Sequence, residues 1–120
     1  MRVPGFGRRA PEPDPSLEPV VYWRVIEDEI LVVHAGSRGC TARSDFTVHV
    51  ERYEADFYTV RLERIRPDAC DRTLPWGVQL GFGFDELGVP DGGRVMVLNP
   101  LDERLPEPHR PAGVQVATRR

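Results

Sequence analysis

The chain contains no lysine: all 16 of its basic residues are arginine, and 12 prolines accompany them. High-GC coding produces that bias without any functional cause, so it is set aside. There is also no excess of positive charge. The formal net charge is −3, and residues 20–100 hold thirteen acidic side chains against nine arginines. Binding a phosphate backbone by charge neutralisation needs the reverse balance, so nucleic acid is excluded as a general partner. No stretch approaches about 18 consecutive apolar residues, and no transmembrane segment is expected. Met1–Pro19 is broken by five prolines and lacks the apolar run of an export signal. A mature chain trimmed of such a signal would read the same way, so the compartment stays open.

Motifs that carry chemistry are equally sparse. There are two cysteines and no CxxC, and His34, His49 and His109 are scattered outside ligand spacing of a cysteine or of each other. No metal site and no cofactor are expected. Neither GxGxxG nor the Walker spacing occurs, and no acid–base or nucleophile–base pair stands out, so no catalytic residue is assigned.

What remains reads as one domain, since 120 residues suffice for a modest single core. Residues 1–19, with five prolines, two glycines and six charges, are expected to form a flexible tail ahead of a single β domain over 20–120. From Val20 onward, short runs rich in β-branched and aromatic residues are separated by turn-forming clusters about every eight to twelve residues. Strands are expected at Val20–Ile26, Glu29–Ala35, Asp45–Arg52, Asp56–Ile65, Trp76–Phe84, Arg94–Leu98 and Val114–Thr118, with one helical turn at Asp85–Gly88. The fold class is all-β: a small antiparallel β-sandwich, or a partly closed Greek-key barrel, of about six to eight short strands.

The strongest local signal is a hairpin around Tyr53-Glu54-Ala55. A register whose residue numbers sum to 108 sets Phe46 opposite Leu62, Val48 opposite Val60 and Val50 opposite Tyr58, leaving Thr47 and His49 on a polar face. Cys40 and Cys70 sum to 110, two away from that register, and share the parity of the core-facing set. Neighbouring cross-strand positions lie within reach of a disulfide, so a bridge at the hairpin base is expected. The alternative is a pair of reduced core cysteines, with a thiol activated by His34 as a further reading.

Two other constellations are candidates for binding. Arg38, Arg43, Arg66 and Arg72 flank the cysteines, so the hairpin gathers four guanidinium groups at one end, where they suit a carboxylate or phosphate. The interleaved Asp45, Asp68 and Asp71 would otherwise neutralise them as ordinary surface ion pairs. The run Trp76–Phe84 alternates large apolar residues with Gly77, Gln79, Gly81 and Gly83, giving a packed wall on one face and nearly bare backbone on the other, a candidate groove.

Gly39-Cys40-Thr41-Ala42-Arg43-Ser44-Asp45-Phe46, Arg66-Pro67-Asp68-Ala69-Cys70 and Pro75-Trp76-Gly77-Val78 resemble segments of a group of small uncharacterised bacterial proteins that are often exported. The resemblance covers about residues 36–100. It implies paired cysteines and a periplasmic or secreted setting, with a cytoplasmic one as the alternative, and it supplies no activity. The function expected is a non-enzymatic binding or accessory domain with a structural disulfide, its partner a protein or a small anionic ligand. The competing class is a small enzyme or anion-binding protein using the arginine cluster or a cysteine at the hairpin base.

Overall fold

The computed structural model describes residues 11–102. Within them the chain forms β1 (Val20–Ile26), β2 (Ile30–Ala35), a 3-10 turn (Arg43–Asp45), β3 (Phe46–Glu54), β4 (Phe57–Arg64), β5 (Val78–Gly83), a single helical turn α1 (Phe84–Leu87) and β6 (Arg94–Val97). These make two three-stranded sheets, ordered β1-β2-β5 and β3-β4-β6. The fold is a small all-β one, and the sheets do not close into a barrel. The strand expected at Val114–Thr118, and His109, lie outside the described residues.

Period-two alternation dictates which side chains meet. Trp23, Leu31, Val33, Leu80 and Phe82 of the first sheet share one buried cluster with Phe46, Val60, Leu62, Val95 and Val97 of the second. Leu31, Val33, Val60 and Leu62 are wholly buried. Each such side chain contributes roughly 1.5–3 kcal/mol by leaving water.

The β3–β4 hairpin forms, with a register two residues from the expected one. Val48 pairs with Leu62 and Val50 with Val60, while Phe46 faces Arg64. The cause lies in the turn. Tyr53 sits at a register shift between Arg52 and Glu54, so β3 runs on to Glu54 and the reversal occurs at Ala55-Asp56, with Ala55 at φ 41°. A shift of two preserves parity, so the core face and the polar face are those expected.

Three further expectations are corrected. β6 pairs with β4 in parallel, from Phe57↔Arg94 to Val60↔Val97, because the chain crosses through β5 in the other sheet before returning. Trp76 lies outside its strand and is 39% exposed. The Gly77 amide closes a turn onto the Leu74 carbonyl at 2.9 Å, and Gly77 takes φ 70°, so β5 begins only at Val78. Finally, the end of the expected tail is docked on the domain. The Asp14 amide donates to Leu98 O at 2.7 Å, and Glu18 pairs with Arg64.

Two measurements check this arrangement. Leu62→Ala should cost about 2–5 kcal/mol in urea unfolding, whereas Thr47→Asp, on the exposed face, should stay within about 0.5 kcal/mol. Equal costs would refute the face assignment. A chain starting at Val20, which strips Arg64 of its carboxylate, should lose about 1–3 kcal/mol; unchanged stability would show that the docked segment contributes nothing.

Candidate functional site

The chemistry-bearing residues converge beyond the open end of the β3–β4 hairpin. The paired register continues there: Ile65 N donates to Asp45 O at 2.7 Å, Cys40 is bonded to Cys70, and Arg72 N donates to Arg38 O at 2.9 Å. All three pairs sum to 110, the register observed in the hairpin. The cysteines are therefore opposite each other, with Cα atoms 5.8 Å apart, inside the range a disulfide requires.

Asp68 organises the loop that carries Cys40. Its Oδ2 accepts from Arg38 N (2.7 Å), Cys40 N (3.1 Å), Ser37 Oγ (3.1 Å) and Thr41 Oγ1 (2.7 Å), and its Oδ1 accepts from Cys70 N (3.0 Å). Partial desolvation opposes the charged form of this carboxyl. The donors from Thr41, Arg38, Cys70 and Cys40 outweigh it and hold the pKa far below the usual carboxylate range. The loop is thus a nest of amides around an anion, and the anion is the chain's own.

Arg64 ties the same loop to the rest of the fold. Its guanidinium meets Glu18 bidentately at 2.7 and 2.9 Å, donates to Gly36 O at 3.0 Å, Thr41 Oγ1 at 3.2 Å and Arg66 O at 3.2 Å, and lies 4.6 Å from the centre of the Phe46 ring. The hydrogen bonds to Glu18 raise its pKa against partial desolvation, so the charge is permanent.

The four arginines do not act as one cluster. Arg43 pairs with Glu86 at 3.1 Å and lies over the Phe82 ring. Arg66 pairs with Asp45 at 3.0 Å and donates to Ser44 O at 2.6 Å. Arg38 and Arg72 are brought together through their backbones, and both are exposed. The glycine face of β5 also divides. A Cβ on Gly77 would collide with the Ala35 carbonyl, and Gly83 N donates to Glu86 Oε1 at 2.8 Å, so both serve the backbone. Gln79 is exposed, and a Cβ on Gly81 would meet nothing within 4 Å.

His34 is engaged by Tyr22 and Trp76 rather than by the cysteines. It stacks on Tyr22, with ring centres 4.2 Å apart, and Nδ1 faces Trp76 O at 3.1 Å, which makes Nδ1 the protonated nitrogen. Desolvation lowers its pKa, aided by Arg24 and opposed by the Trp76 carbonyl. His49 lies on the polar face with Nε2 2.9 Å from Glu63. The sulfurs of Cys40 and Cys70 and an oxygen of Asp68 lie within 4.8 Å of one another, a trio with metal-ligand chemistry. Here the sulfurs are bonded to each other and the carboxylate is directed at five donors, so the trio works as a cross-link.

Sequence reading missed Glu18, Thr41, Arg64 and Asn99, and treated Asp68 only as a neutralising acid. Asn99 is buried and imitates a strand residue: Oδ1 accepts from Leu62 N, and Nδ2 donates to Leu62 O and Glu18 O, all at 2.9 Å. The one available signal was Asp68 together with Ser37 and Thr41, three residue types that hydrogen-bond loop backbone.

Asp68, Asp45 and Glu86 all have folded pKa values below their ordinary ones, Asp45 through Ala42 N and Arg66, Glu86 through Gly83 N and Arg43. The unfolded chain therefore binds protons more readily. Stability should be full above the ordinary values of 4.5 for the glutamate and 3.8 for the aspartates, and fall as pH drops through them toward the folded values. Asp68→Asn should lower the melting temperature at pH 7 and flatten this acid limb more than any other single carboxyl change. An unaltered limb in melts from pH 7 to 2 would contradict the role given to Asp68. No family model, curated protein or solved structure matches the chain.

Proposed function

We propose that the chain is a non-enzymatic binding or accessory domain with a structural disulfide, working in a periplasmic or secreted setting. The observation that carries this reading is the use made of Asp68. A carboxylate that accepts five hydrogen bonds from the two segments joined by Cys40 and Cys70 serves to hold a loop in shape. A general base needs a free lone pair aimed at a substrate proton.

Three further facts support it. No free cysteine is left in the chain, so the Cys40 or Cys70 nucleophile of the competing enzyme reading has no thiolate to act with. No helix among the described residues is long and apolar enough to cross a membrane. A disulfide persists in oxidising compartments, in keeping with the exported proteins that residues 36–100 resemble.

The test is a thiol titration of protein made in an oxidising compartment. No thiol should react in the native or the denatured state. The double change Cys40→Ala with Cys70→Ala should then cost roughly 3–4 kcal/mol, as expected for a closed loop of about 30 residues, without loss of strand signal. A native thiol that reacts rapidly, with a depressed pKa, would overturn the reading in favour of an enzyme.

A further inference from the structure

Arg38 and Arg72 occupy directly paired positions on two adjoining segments, one register step outside the disulfide. The Arg38 amide is fixed by Asp68 at 2.7 Å, and its carbonyl takes the Arg72 amide at 2.9 Å. Arg72 packs over Gly39, where a Cβ would stand 3.3 Å from Arg72 Cβ and 3.9 Å from its Cδ. Like charges on opposed positions repel, and the fold leaves this pair unneutralised. Among the described residues neither guanidinium has a hydrogen-bond or ion-pair partner. The nearby acids are engaged elsewhere: Asp68 in its five bonds, Asp45 with Arg66, Glu18 with Arg64 and Glu86 with Arg43. Asp71, next to Arg72 and exposed, is the one further acid on the segment from Pro67 to Arg72.

We propose that Arg38 and Arg72 form an anion-recognition element that takes an oxyanion of a ligand, carboxylate or phosphate, between their guanidinium groups. This rests on the reading of the chain as a binding domain and names the ligand chemistry of that domain. Guanidinium forks match both oxyanions, and their backbones are pre-positioned by the disulfide and by Asp68, so little ordering is needed on binding. A depression of about 280 Å³ beside Arg38, whose lining also holds Arg64 and the two already engaged acids Glu18 and Asp68, gives room for the rest of the ligand.

The experiment uses the full oxidised chain, titrated with inorganic phosphate and separately with acetate at constant ionic strength, while the arginine Nε–H resonances are followed by NMR. Saturable shifts are expected at Arg38 and Arg72. Saturation by phosphate alone identifies a phosphate ligand, and saturation by acetate identifies a carboxylate. The variant Arg38→Gln with Arg72→Gln should weaken binding about tenfold, Arg43→Gln should leave it unchanged, and Asp71→Asn should strengthen it. Linear shifts shared by all arginines, or saturable binding retained in the double variant, would overturn the proposal. A protein that binds neither anion, yet exposes no reactive thiol, would lose this element while the binding-domain reading stood.

Discussion

The buried hydroxyl of Thr41 is the point on which the disulfide end of the molecule depends. It gives its proton to Asp68 at 2.7 Å and receives one from Arg64 at 3.2 Å, so an anion and a cation of the chain are joined through one neutral group. Asp68 shapes the loop that carries Cys40, and Arg64 fastens that loop to Glu18 and to Gly36 at the end of β2. Three segments distant in sequence are thereby held in one geometry. The disulfide acts chiefly by restricting the unfolded chain, whereas these hydrogen bonds act in the folded one, so the two contributions are complementary.

This division explains how much of the site was legible in the sequence. Parity and register are one-dimensional properties, and the facing of Phe46, Val48, Leu62 and Val60 follows from alternation alone. The cysteine pairing was within reach for the same reason. Its sum of 110 equals the hairpin register observed, and the expected value differed only because the bulge at Tyr53 moved the turn by a residue. A bulge leaves no clear mark in the sequence, so the turn centre was misplaced while the faces were not.

The roles of Arg64, Asn99 and β6 depend on which strands become neighbours across the two sheets, and local pattern holds no record of that. Arg64 reads as one more charge at the end of a strand; only the docking of Glu18 makes it a hub. Asn99 reads as a turn residue after β6. It is buried because β6 runs parallel to β4, and Leu62, two positions beyond the last paired residue Val60, then needs a partner that no further residue of β6 supplies. The arginines show the same limit: sequence brought four to one end, and only their partners in space separate Arg43 and Arg66, which are neutralised, from Arg38 and Arg72, which are not.

The sheet β1-β2-β5 also separates charge along its length. At the Ile30 end of β2, Asp28, Glu29, Asp85 and Asp91 line a cleft of about 660 Å³, and at the Ala35 end the chain enters the loop bearing Arg38. Six residues of strand set these ends roughly 20 Å apart, more than twice the Debye length of about 8 Å at physiological salt. The acids lining that cleft therefore barely weaken the field of Arg38, whereas Arg43 is neutralised directly by Glu86, next to Asp85, and the net charge of −3 describes neither end. Toward an anion the Ile30 end presents the carboxylates of that cleft, whereas the disulfide end presents the unpaired Arg38 and Arg72 beside Asp71.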